Sequence, residues 1–107
     1  MGLFKKRYSK KVIRDNEFLK EYAIKVHGLL LYTEDNAKVT DALKVMMDDL
    51  QYTVPSADAA ARGYERKIKR EFEELATALQ QDGWIEADVL MHIKNIRRFI
   101  VELNALR

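Results

Sequence analysis

Apolar residues along this chain recur at spacings of three and four, the period of a helix that buries one face. Val12, Leu19, Tyr22, Ala23, Val26, Leu29 and Leu30 predict a first helix over about residues 10–32. Ile24 and Leu31 fall off that stripe, so the second half is apolar on several sides and is expected to lie centrally, surrounded by protein. Thr33-Glu34-Asp35-Asn36 supplies helix-capping residue types at a tight reversal. Val39, Leu43, Met46 and Leu50 then mark a short second helix over about 37–52. Pro55 lacks a backbone donor and disfavours helical geometry at Val54, which ends that helix, and Ser56 is placed to cap the next.

Tyr64, Ile68, Phe72, Leu75 and Leu79 form the buried line of a third helix expected over about 57–81, with Gly83 as a left-handed cap at its end. Ile85, Val89, Ile93, Ile96, Ile100 and Leu103 give the last helix, about 85–105, a nearly heptad seam. Short connections between four such segments favour antiparallel neighbours. The fold class is therefore all-α, an antiparallel four-helix bundle with a short second helix, in a single domain over 1–107 whose residues 1–9 form a flexible basic arm.

At about 1.5 Å per residue the second helix would be roughly 24 Å long and the third roughly 37 Å, so the bundle cannot close evenly. Leu90, Val101 and Leu106 add apolar surface beside the seam of the fourth helix, and a protein interface, a homodimer in the simplest case, is their expected use. Met46 is in phase with the core, and Met47 stands at its margin.

Composition narrows the function classes. Apolar residues make up 48% of the chain and charged residues 34%, the balance of a folded globular protein rather than a disordered or membrane-spanning one. With no cysteine there are no disulfides, thiolate metal sites or cysteine nucleophile, and a cytoplasmic location is the expectation. The first residues lack the apolar run of a signal peptide, and Lys6 stands where a myristoylation motif has Ser or Thr.

Charge is uneven. Lys5, Lys6, Arg7, Lys10, Lys11 and Arg14 place +6 in the first fourteen residues, with no acid among them, against a net charge of +2, so the remainder carries −4. This arm, interleaved with Leu3, Phe4 and Tyr8, is suited to phosphate contacts on a nucleic acid or an anionic lipid surface. Arg62, Arg66, Lys69 and Arg70 share one face of the third helix, but Glu73 and Glu74 stand four residues on from Lys69 and Arg70, the spacing of ordinary solvated ion pairs.

His27 and His92, the two imidazoles, stand in no metal-binding motif. Asp88 and His92 share a face at i,i+4, and an ion there would need ligands from another helix, so the expected role of Asp88 is to charge the start of the last helix. The neighbouring acids Asp48-Asp49 and Glu73-Glu74 diverge by about 100° around their helices and do not converge on a substrate. No phosphate loop or nucleophile elbow can be assembled. The sequence thus predicts a non-catalytic helical interaction module that binds itself or another protein, without cofactor, metal or small-molecule substrate. Its alternative is a nucleic-acid-associated accessory protein using the basic arm.

Overall fold

A computed structural model describes residues 10–53 and 58–106, with side chains described from Leu19 onward. Four helices form: α1 (Lys10–Leu29), α2 (Ala37–Gln51), α3 (Ala60–Leu79) and α4 (Glu86–Asn104), and a 3₁₀ turn at Leu30–Tyr32 extends α1. The all-α bundle expected from the sequence is the fold observed, and α2 is its shortest helix.

The helices are arranged as two antiparallel hairpins, α1 with α2 and α3 with α4, joined along α2 and α4. Two contacts fix the direction of that joint. Asn36 at the start of α2 bonds Glu86 at the start of α4, and Asp49 late in α2 pairs with Arg97 farther along α4, so these two helices run the same way. Residues 52–59 therefore connect α2 to a helix, α3, that is not its close neighbour.

Parallel neighbours place two helix N-termini, each partially positive, side by side. Glu86 lies between them. Its carboxylate accepts from Asn36 Nδ2 at 2.9 Å and stands 3.9 Å from Lys38 Nζ. Asn36 also caps α2, its Oδ1 accepting from the Val39 amide at 3.0 Å. Just upstream, buried Thr33 faces Thr40 across the reversal, hydroxyl to hydroxyl at 2.8 Å, and the Thr40 hydroxyl stands 2.6 Å from the Thr33 carbonyl.

Asn36→Ala is expected to lower stability by about 1–2 kcal/mol through loss of the cap and of the α2–α4 tie. Asn36→Asp keeps an acceptor for the cap but sets a second carboxylate against Glu86. Urea denaturation will show a deficit in both variants, with Asn36→Asp recovering at low pH.

The core follows the periodicity. Leu19, Tyr22, Ala23, Val26 and Leu29 of α1 meet Val39, Leu43, Met46 and Leu50 of α2, while Ile68, Phe72, Leu75 and Leu79 of α3 meet Val89, Ile93, Ile96, Ile100 and Leu103 of α4. Met47 is half-buried at the margin, as its phase predicts. Tyr64, expected on the buried line of α3, is only half-buried and packs against the edge of the core.

Several expectations need correction. Ile24 and Leu31 are each 74% exposed, so the second half of α1 is not central. Among the described residues the α1 helix packs most closely on α2 and meets α3 through the rings of Tyr22 and Phe72, which leaves its outer face bare. Ile85 is 62% exposed, because α4 begins at Glu86 and Ile85 precedes it in extended backbone, outside the helical phase. Gly83 is left-handed, φ 70°, but sits within the loop after α3 rather than at its cap, which is Gln80. The α3 helix is 20 residues long, shorter than expected at its start, where Asp58 Oδ1 accepts from the Ala60 amide at 2.8 Å. The expected cap at Ser56 lies outside the described residues.

Candidate functional site

Two features stand apart from simple packing. The first lies on the outer face of the α1–α2 hairpin. With Leu19, Tyr22, Ala23, Val26 and Leu29 turned inward, helical geometry turns Lys20, Ile24, His27 and Leu31 outward at spacings of four, three and four. Between this stripe and α2 runs a groove of about 380 Å³ lined by Lys20, Ala23, Ile24, His27, Met47 and Gln51. From His27 it continues into a second hollow of about 450 Å³ past Gly28 and Leu31 to Glu34 and Lys44. Gly28 leaves the middle of the stripe open, since a Cβ there would meet nothing within 4 Å. The floor is apolar, and charge is confined to its rim.

The second feature is a polar cluster between α3 and α4. Glu71 and Glu74, three apart on α3, share a face directed at α4, where His92 and Asn95 share the opposing one. His92 Nδ1 lies 2.6 Å from Glu71 Oε1 and 3.8 Å from Glu74 Oε2, and Asn95 Nδ2 donates to Glu71 Oε1 at 3.1 Å. The His92 and Glu71 side chains are largely shielded, while Glu74 is about half exposed. His92 thus finds its partners on another helix, and Asp88 is no part of the cluster, standing in the first turn of α4 with Glu86 as acidic charge at the helix start.

The residues expected to form an interface on α4 divide. Val101 is 68% exposed and borders a cleft with Tyr52, Asp48 and Arg97, whereas Leu90 and Leu106 are half-buried against the protein's own core. Of the basic arm, Lys5, Lys6 and Arg7 lie outside the described residues. Lys10, Lys11 and Arg14 lie in the first turns of α1.

On α3 the cations are partly engaged in other ways than expected. Arg62 pairs with Glu65, and Lys67 lies over the rings of Tyr64 and Phe99 at 5.0 and 5.7 Å. Glu74, expected to pair with Arg70, instead faces His92. The sequence signal for the α1 face was present in Ile24 and Leu31. The signal for the His92 cluster lay in the i,i+3 spacing of Glu71 and Glu74.

Comparison of the chain with protein-family models, curated proteins and solved structures gives no match, so function rests on these residues alone. The class the fold defines is a compact all-α domain of four helices. Among the described residues no helix is long and apolar enough to cross a membrane.

Proposed function

We propose that this chain is a non-catalytic helical interaction module of the cytoplasm, which pairs with a second copy of itself through the outer face of α1. The observation that carries this reading is the stripe of Ile24 and Leu31, both 74% exposed on a helix whose other face is core. A helix apolar on several sides is ordinarily covered by protein, and this one leaves that requirement unmet within the monomer.

The stripe also suits a twofold partner. If two α1 helices cross antiparallel about the His27–Gly28 region, Ile24 meets the partner's Leu31 and Gly28 allows close approach. Lys20 at one end of the stripe then faces the partner's Glu34 and Asp35, just beyond its other end. This arrangement is self-complementary in shape and in charge, as a closed dimer requires.

Light scattering tests it. The native chain is expected to have the mass of two copies, and Ile24→Asp or Leu31→Asp, both on exposed positions, is expected to halve that mass with helix content unchanged. Val101→Asp leaves the mass as it is. A native mass of one copy at every concentration, or a dimer that survives both α1 substitutions and dissociates with Val101→Asp, overturns the assignment.

A second reading is favoured by one observation, the concentration of Lys5, Lys6, Arg7, Lys10, Lys11 and Arg14 without an intervening acid. Repeating the mass measurement with a short nucleic-acid duplex separates the two. Binding that falls steeply with salt points to phosphate contacts as the main role.

A further inference from the structure

We propose that Glu71, Glu74 and His92 form a binding site for a divalent transition-metal ion, of which Zn²⁺ fits best. The inference is independent of the dimer, since the site lies between α3 and α4 while the exposed stripe lies on α1. One ligand atom from each of the three residues lies within 4.8 Å of the other two.

The arrangement answers a local imbalance. Two carboxylates face a single imidazole nitrogen, and its one proton can serve only one of them. It serves Glu71 at 2.6 Å and leaves Glu74 Oε2 at 3.8 Å, beyond hydrogen-bond range. A divalent cation in place of that proton accepts a lone pair from all three groups at once. Coordination at Nδ1 requires the neutral ring with its proton on Nε2. A neutral Nδ1–H ring passes its proton to Nε2 through solvent with none released overall, and a doubly protonated ring releases one, so protons compete with the metal and lower pH weakens binding.

The ligand chemistry selects the ion. One nitrogen with two carboxylate oxygens suits Zn²⁺ and the neighbouring Fe²⁺ and Mn²⁺, whereas Ca²⁺ demands more oxygens and soft Cu⁺ demands sulfur. Zn–N and Zn–O bonds of about 2.0 Å put tetrahedral ligands about 3.3 Å apart, so His92 Nδ1 and Glu71 Oε1 must open from 2.6 Å while Glu74 closes in from 3.8 Å. Glu74 can supply the closing movement because its side chain is 55% exposed, while the more shielded His92 and Glu71 need only a small rotation of the carboxylate to separate. Asn95 acts as outer support, its amide at 3.1 Å orienting the Glu71 carboxylate.

Three protein ligands leave a fourth position for water. It opens toward a shallow hollow bordered by Arg70, Glu73 and Thr77. Arg70 opposes a cation there and Glu73 favours it, so the local charges roughly offset each other.

Titration calorimetry with Zn²⁺ alone, on the full chain in a non-coordinating buffer at about pH 7.5, is the test. One ion per chain is expected, with micromolar affinity that weakens as the pH is lowered. Glu74→Gln, a change on an exposed side chain that leaves the fold intact, is expected to weaken binding at least about tenfold. His92→Ala is expected to abolish it, and His27→Ala to leave it unchanged. The ¹⁵N resonance of His92 Nδ1 should shift on Zn²⁺ addition, with Nε2 carrying the ring proton in the bound form. No heat and no ¹⁵N shift, or binding that persists undiminished in Glu74→Gln and His92→Ala, overturns the site.

Discussion

Phe72→Ala will lower the stability of the fold by about 3–5 kcal/mol, because the ring it removes closes the loosest edge of the bundle. The α1 and α3 helices stand too far apart for close backbone packing. The space between them is spanned by Tyr22 and Phe72, whose rings meet edge to face with centroids 5.0 Å apart and planes at 85°. Both residues are buried. Truncation opens a cavity beside Tyr22 and also forfeits the aromatic pair, itself about 0.5–1.5 kcal/mol.

The Tyr22 phenol supplies a second readout. Its pKa is raised above the ordinary 10.0, first by burial and further by Glu73 and Glu21, with Lys25 opposing. Because the folded value is the raised one, Tyr22 contributes stability that is complete below 10.0 and is lost as pH climbs through the folded pKa. Removing Phe72 admits water to the phenol and moves its titration back toward 10.0. An alkaline absorbance titration, compared with that of the native chain, will show the shift, and urea denaturation will give the stability loss. A loss below about 1 kcal/mol would mean that the two rings do not close this edge.

That edge also marks where the sequence stops being informative. The core lines of α2 and α4 were legible almost residue by residue, since one face of each helix is fully covered and the period of the pattern reports that face. The reversal at residues 33–36 was legible because Asn36 and the threonines have one obvious use in a helix cap.

Periodicity gives the direction in which a side chain points but not what lies there. Ile24 and Leu31 were read as central because they are apolar, yet α1 has close neighbours on too few sides to cover them. Ile85 continued the apolar line of α4 by number, but it precedes the first helical residue, where the line no longer applies.

The same limit hid the side-by-side placement of α2 and α4 and the meeting of Glu71 with His92. Both depend on how hairpins dock. Folding α3 back on α4 about the turn at Asp82–Gly83 does bring residues 71–74 opposite residues near 92, so the cluster was accessible to register reasoning though not to motif reasoning.

Leu43→Ala tests the other mechanical claim, that the short α2 helix is the wall shared by both hairpins. Leu43 is fully buried near the middle of α2, which packs on α1 along one side and on α4 along another. Only Val39, Leu43, Met46 and Leu50 are buried on this 15-residue helix, so one leucine is a large part of its hold. Truncation is expected to cost about 2–5 kcal/mol and to lower the melting temperature by at least about 10 °C, whereas Val45→Ala, on the half-exposed face two residues away, should change stability by no more than about 0.5 kcal/mol. Unfolding in urea should stay a single transition with an unchanged slope, since the bundle has one continuous core. Hydrogen exchange separates the alternatives: a shared wall requires the amides of α1 and α4 to lose protection together in Leu43→Ala. Loss confined to α1 would instead mean that the α3–α4 hairpin holds itself, with α1 and α2 docked onto it as a separable layer.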